Sequence, residues 1–206
     1  IDADLGMANV DVLLGIYPKH TIYDVLFNRY PLKDTLVTGH EGIKVLPGGS
    51  GIMELAVLDV EQKEALGREF MALEDIDIIL IDTGAGINKN SLSFISFSQE
   101  LILVTTPEPT ALTDAYSAIK IMMQFKLNKN TKVIVNRCPD SGLGKNVYGR
   151  LNSTTKTFLN KPLEMLGYVL NDDKVTQAVM EQTPFLVQYP NCSASRCINR
   201  IAEELL

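Results

Sequence analysis

The residues of this chain best suited to chemistry are acidic and stand where apolar runs stop. The run IDIILIDTGAG (76–86) ends in one carboxylate, Asp82, with Gly84 and Gly86 behind it. A carboxylate at the tip of a buried strand is the pattern that holds magnesium beside nucleotide phosphates, commonly through a water. Glycines next to it let backbone N–H groups approach phosphate oxygens and tolerate the dihedrals of a loop that rearranges. The same residues equally suit an aspartate that caps the next helix and glycines that serve a turn, so both readings stand on this segment alone. At the start, IDADLGMANVD (1–11) places Asp2 and Asp4 two positions apart, on one face of an extended segment. Two carboxylates on one buried face repel unless a cation or a water network lies between them. Asp4 is therefore a candidate to position an attacking water beside a γ-phosphate, and capping a helix that starts near Met7 is the alternative.

Such carboxylates need a scaffold that gathers strand tips. Short apolar runs at 43–49, 76–86, 100–109, 131–137 and 164–172 each precede a stretch of helical periodicity. That alternation predicts an α/β fold: a doubly wound, mostly parallel sheet flanked by helices, in one domain over residues 1–206. The runs are apolar on both faces, as strands covered by helices on both sides must be. Ligands of such sheets bind at the carboxyl ends of the strands. Those ends carry Asp4 and Gly6, then Gly48, Gly49 and Gly51, then Asp82, Gly84 and Gly86, then Pro107 and Glu108, and lastly Asn136 and Arg137. Asn136 suits the edge of an adenine ring, because an amide offers both a donor and an acceptor.

Local signals agree with this layout. Thr21 and Asp24 have capping-box spacing before TIYDVLF, and TALTDAYSAIKIMMQF puts Leu112, Ala115, Ile119, Met122 and Met123 on one stripe. SASRCINRIAEELL (193–206) has Ala194, Ile198, Ile201, Ala202 and Leu205 at helical spacing and reads as a helix docked on the sheet. RCPDSGLGKN (137–146) reads as a surface loop. Neither PGGSG (47–51) nor GLGKN (142–146) has the spacing of a phosphate loop, and the first is taken as a turn.

Composition narrows the function classes. The 46% hydrophobic and 21% charged fractions are those of a globular protein without a membrane span. Three cysteines, Cys138, Cys192 and Cys197, cannot all pair within one chain and suit packing in a reducing compartment. A net charge of −6 argues against a protein that coats DNA through its bulk field. No glycine fingerprint with a following acidic residue supports a nicotinamide-dependent reductase.

IDADLGMANVDVLLG, PGGSGIMELA, IDIILIDTGAGI, LVTTPEPTALTDAY, VIVNR and QTPFL together resemble the MinD/ParA family of deviant-Walker ATPases, from Ile1 to about Ser195. Within it, TTPEPTALTDAY and PGGSG resemble the branch of flagellar number and placement regulators. The resemblance implies a P-loop NTPase-like domain with ATP or ADP and Mg2+ as cofactors. Asp4 would be the water-positioning carboxylate and a metal-associated group, with Asp2 supporting that shell. Asp82 would be the magnesium-associated Walker B aspartate, and Gly84 to Gly86 the switch that senses the γ-phosphate. Asn136 and Arg137 would contact the base and its surroundings, and Pro184 and Phe185 would line its other side. For Phe185 a plain core aromatic is an equal alternative. Glu108 would lie where a subunit reaches the nucleotide of its partner in an ATP-bound homodimer, with Pro107 beside it among the cofactor-binding residues.

The same resemblance implies a cytoplasmic protein that associates peripherally with the inner face of the plasma membrane. Its partners would be flagellar assembly proteins such as the signal-recognition-type GTPase FlhF and components of the flagellar switch, with no specific nucleic acid. A cell-division MinD-type ATPase, a DNA-partition ParA-type ATPase and a non-catalytic scaffold are the alternatives. The family's KGGxGK loop, followed by Ser or Thr, precedes the segment at which this sequence starts. The expectation is therefore an N-terminally truncated chain that binds nucleotide weakly or not at all. Its neighbouring strands would be left with unpaired edges and exposed apolar faces.

Overall fold

The computed structural model describes residues 1–4, 7–49, 60–73, 75–87, 89–127 and 129–206. Gly6 and Gly51, named above as strand ends, lie outside the described residues. The chain groups into two compact units, Ile1–Phe97 with Gln182–Pro184, and Ser98–Glu181 with Phe185–Leu206.

In the first unit, α1 (Val10–Leu13), α2 (Ile22–Phe27) and α3 (Leu32–Thr35) precede a short antiparallel ribbon of β1 (Val37–Thr38) and β2 (Lys44–Val45). α4 (Val60–Met71) and α5 (Lys89–Phe97) complete it. The capping box that opens α2 is formed: Thr21 Oγ1 accepts from the Tyr23 N–H at 3.3 Å, and Asp24 Oδ2 accepts from the Thr21 N–H at 2.9 Å. The core gathers Ala3, Ile22, Leu32, Leu46, Leu66 and Phe94. Two sequence expectations are corrected here. The 43–49 run is a strand only at Lys44–Val45, and it continues as extended chain whose Leu46 and Pro47 carbonyls accept from Asp2 and Ile22. The 76–86 run has a single parallel bridge, Asp2 to Asp82. Ile78, Ile79 and Leu80 in that run are 54%, 41% and 64% exposed, in line with the exposed apolar faces expected of this chain.

The second unit holds the parallel sheet that the apolar runs predict. β3 (Glu100–Thr105), β4 (Asn130–Cys138) and β5 (Glu164–Leu170) pair in that order, with Glu100 opposite Asn130 and Lys132 opposite Glu164. The crossovers are α6 (Pro109–Gln124) and α7 (Ser141–Leu159), followed by α8 (Asp173–Met180), α9 (Phe185–Gln188) and α10 (Ser193–Leu205). α6 buries Ala115, Ile119 and Met122 from the stripe read in the sequence.

The C-terminal helix docks as expected, through Ala194 and Ile201, with Ile198 and Leu205 packed beside them. Ala202 faces solvent. The seat is Gly167, where an added methyl would meet Ile201 Cγ1 at 2.6 Å. The expected loop at 137–146 is instead largely helix, because Asp140 Oδ1 caps α7 by accepting from the Leu143 N–H at 2.9 Å. Gly144 is kept small by packing, since its Cβ would stand 2.9 Å from Tyr168 Cβ. Cys138 is fully buried, Cys192 and Cys197 pack at the β5–α10 core, and all three are free thiols. Burial pushes the Cys138 thiol up, away from reactivity. Among the described residues, no helix is long and apolar enough to cross a membrane.

Candidate functional site

In the first unit, four of the residues singled out by the sequence come together. The tip Ile1–Ala3 runs parallel to 80–82: the Asp82 N–H donates to Ile1 O at 2.8 Å, and the Ala3 N–H donates to Asp82 O at 2.7 Å. This tie sets the Asp4 and Asp82 ends side by side. Asp4 then lies against Gly84, where any β-carbon would stand 2.6 Å from Asp4 Oδ2. Gly86 adopts φ +78, the left-handed region that suits a residue without a side chain.

Asp2 is 2% exposed, and its neighbours are main-chain donors. Oδ1 accepts from the Asp4 N–H at 3.2 Å, and Oδ2 accepts from the N–H groups of Asn9 and Val10 at 2.9 and 3.0 Å. The helix that was expected near Met7 starts at Val10, and Asp2 caps it; Asp4 gives only its backbone carbonyl, to the Met7 N–H at 3.1 Å. The spacing of the sequence could not show this, since the donors lie seven and eight residues downstream. Burial, followed by the negative charge of Asp2, pushes the Asp82 carboxyl above the usual carboxylate range. Asp4 adds to that shift. Negative charge is therefore concentrated at these tips.

In the second unit, the strand ends carry the other candidates. After β3, the Thr106 hydroxyl donates to Glu108 Oε2, and Glu108 is the N-terminal flanking residue of α6, with Pro109 at the first helical position. Pro107 is half-buried between them. Thr105, at the last position of β3, is 4% exposed, and its hydroxyl is the one buried side-chain polar atom without a hydrogen-bond partner among the described residues. Sequence reasoning missed it. An unpaired buried hydroxyl costs about 1–3 kcal/mol and marks a place where a polar partner belongs. At the end of β4, Asn136 Oδ1 accepts from the Arg137 N–H at 2.8 Å. Arg137 itself takes φ +56, at a register shift between Val135 and Cys138. A left-handed, exposed arginine at a strand tip is an uncommon conformation that re-aims the side chain. Phe185 packs half-buried against the β5–α10 core, while Pro184, assigned to the first unit, is half-buried.

The donor set fits the expected cofactors. Asp4 and Asp82 offer hard carboxylate oxygens in a cluster whose mutual repulsion a cation would relieve. Among the described residues, no group of three or more His, Cys, Asp or Glu is arranged to hold a metal unaided. Magnesium is bound by one or two carboxylates together with waters and substrate phosphates.

A ParA family model, described as NUBPL iron-transfer P-loop NTPase, matches residues 66–206. Antiactivator FleN of Pseudomonas aeruginosa is 35% identical over 206 residues, covering 100% of this chain and 74% of that protein. The flagellum site-determining protein YlxH of Helicobacter pylori is 32% identical, covering 98% of this chain and 68% of that protein. Among solved structures, the MinC:MinD cell division protein complex of Aquifex aeolicus matches with a TM-score of 0.76 and 27% identity, covering 99% of this chain and 81% of that one. The septum site-determining protein MinD of Pyrococcus horikoshii, complexed with Mg-ADP, matches with a TM-score of 0.77, 23% identity and the same coverage.

Proposed function

The chain belongs to the ParA/MinD family of P-loop NTPases, and from that premise we propose that it is a nucleotide-switched regulator of flagellum number and placement. Its likeness to FleN and YlxH supports the flagellar branch. In this reading ATP binding drives homodimerisation and association with partners and membrane, and hydrolysis resets the switch. The observation that carries it is the Asp4 carboxylate seated against Gly84 at the tip that Asp82 shares.

The residues would divide the work as follows. Asp82 and Asp4 would hold magnesium, which when bound neutralises charge on the phosphates. Asp4 orients a water and accepts its proton at a carboxylate oxygen, a role worth roughly 10²–10⁴ in rate. Asp2 stands behind it, fixing the backbone at Asp4, Asn9 and Val10. Gly84 and Gly86 leave room for backbone N–H groups to approach a phosphate. Thr105, Pro107 and Glu108 occupy the β3 tip, where Glu108 would meet the nucleotide of a partner copy. Asn136, Arg137, Pro184 and Phe185 would bind around the base, the amide reading its edge and the ring stacking on it. Partners of the flagellar assembly apparatus, FlhF and switch components among them, follow from the same likeness.

Light scattering on the full-length protein with ATP and magnesium tests this reading. It predicts a dimer with ATP, a monomer with ADP, and loss of turnover but not of ATP-driven dimerisation in Asp4→Ala. A protein that stays monomeric with ATP, or an Asp4→Ala variant with unchanged turnover, would overturn it. Binding of random duplex DNA in a salt-dependent gel shift would favour the partition-type alternative.

A further inference from the structure

The segment that carries Phe185 is held by two side chains to which the functional reading gives no part. Ser195 is fully buried in the first turn of α10. Its hydroxyl donates to Tyr189 O at 2.7 Å and lies 3.4 Å from Phe185 O, so it reaches both ends of the α9 turn. Cys192 Sγ, 3.2 Å away, completes its surroundings. A buried serine at the start of a helix ordinarily bonds within its own element. This one spends its hydroxyl on a different one. Asp172, directly after β5, does the same from the sheet: Oδ1 accepts from the Lys174 N–H at 3.0 Å and so caps α8, while Oδ2 accepts from Ser193 and Ala194 at 2.8 and 3.3 Å at the start of α10. These main-chain donors hold its carboxyl below the usual range, so it stays ionised and engaged at neutral pH.

The strand end and the turn are thereby joined. The Asn171 N–H donates to Cys138 O at 2.8 Å, which places Asp172 next to the β4 tip that bears Asn136 and Arg137. From that tip the connection runs through Asp172 to the start of α10, and from Ser195 to the turn that begins at Phe185. We propose that Ser195 and Asp172 are positioning residues for base recognition, holding the Phe185 turn in register with the Asn136 tip. The proposal rests on the reading of Asn136 and Phe185 as base contacts. Neither positioning residue touches nucleotide; each acts through main chain that another residue needs.

Steady-state kinetics with ATP and GTP on the full-length protein tests it, using Ser195→Ala, Asp172→Asn and Phe185→Ala. Ser195→Ala removes one neutral hydrogen bond and should raise KM for ATP about five-fold with kcat unchanged. Its preference for ATP over GTP should fall by a similar factor, because a displaced turn loses the base and not the phosphates. Asp172→Asn should shift the same ratio in the same direction. A merely structural serine would lower the melting temperature and leave the ATP/GTP ratio untouched, and that result would overturn the proposal. Phe185→Ala separates the two levels. If it raises KM for ATP and GTP alike while Ser195→Ala and Asp172→Asn leave both KM and the ratio unchanged, the positioning role is wrong and the base site stands. If Phe185→Ala leaves KM for both nucleotides unchanged, the base-site reading fails and the positioning role falls with it.

Discussion

The carboxylate of Asp4 occupies the space that a side chain at Gly84 would need, with both of its oxygens within 2.9 Å of the position of that missing β-carbon. The backbone of Gly84 is not in the left-handed region, so the requirement for glycine there is one of room and not of dihedral freedom. The Asp4 carboxylate and a side chain at position 84 thus exclude one another in volume.

Gly84→Ala should therefore act on catalysis more than on folding. The atoms in conflict belong to the end of a short side chain, which swings aside more cheaply than backbone moves. We expect a melting temperature within a few degrees of wild type and a loss of turnover of roughly 100-fold, the usual result of misplacing a reacting group by about 1 Å. Differential scanning fluorimetry beside a phosphate-release assay measures both. A variant that is fully active would show that Asp4 does not work from this position.

Asp2→Ala should act the other way. Asp2 is buried, and the N–H groups of Asp4, Asn9 and Val10 lose their acceptor together when its carboxylate is removed. The cost should be about 3 kcal/mol in urea unfolding, since three main-chain donors lose one buried acceptor at once. Asp2→Asn retains one acceptor oxygen and should recover part of the loss. Equal stability of the alanine variant and the wild type would mean that the donors find other partners.

Asp24 gives a dependence on pH whose sign is fixed by its contacts. Its carboxyl lies below the usual range, first because it accepts the Thr21 N–H and then because Asn28 and His20 add to this, with partial burial opposing. A carboxylate whose folded pKa is depressed contributes stability fully above its unfolded value, near 4, and loses it as pH falls through the folded value. Asp24→Ala should thus be about 1 kcal/mol less stable than wild type at neutral pH, with the gap closing as the pH falls below about 4. Thermal melts of both proteins between pH 3 and pH 7 read the difference.

These cases also show what the sequence could and could not disclose. ELILVT and TKVIVNR are legible as parallel strands because both of their faces are apolar, and the Thr21–Asp24 box because its whole mechanism lies within four residues. SGLGKN reads as a loop by composition. It becomes helix because Asp140 caps it and because Gly144 must fit against Tyr168, a residue of another strand. Asp2 and Asp4 are equivalent by pattern, yet one points into main-chain donors and the other toward Gly84. The unpaired hydroxyl of Thr105 has no signature in the sequence at all, since every threonine at a strand end looks alike until its surroundings are known.

The bridge between Asp2 and Asp82 is made by peptide groups alone. Changing the charge, length or chemistry of the side chains at positions 4 and 82 therefore leaves the rail on which they ride in place. This makes the pair a natural location for exchanging acids for amides one at a time, in order to separate the electrostatics of the two tips from their alignment.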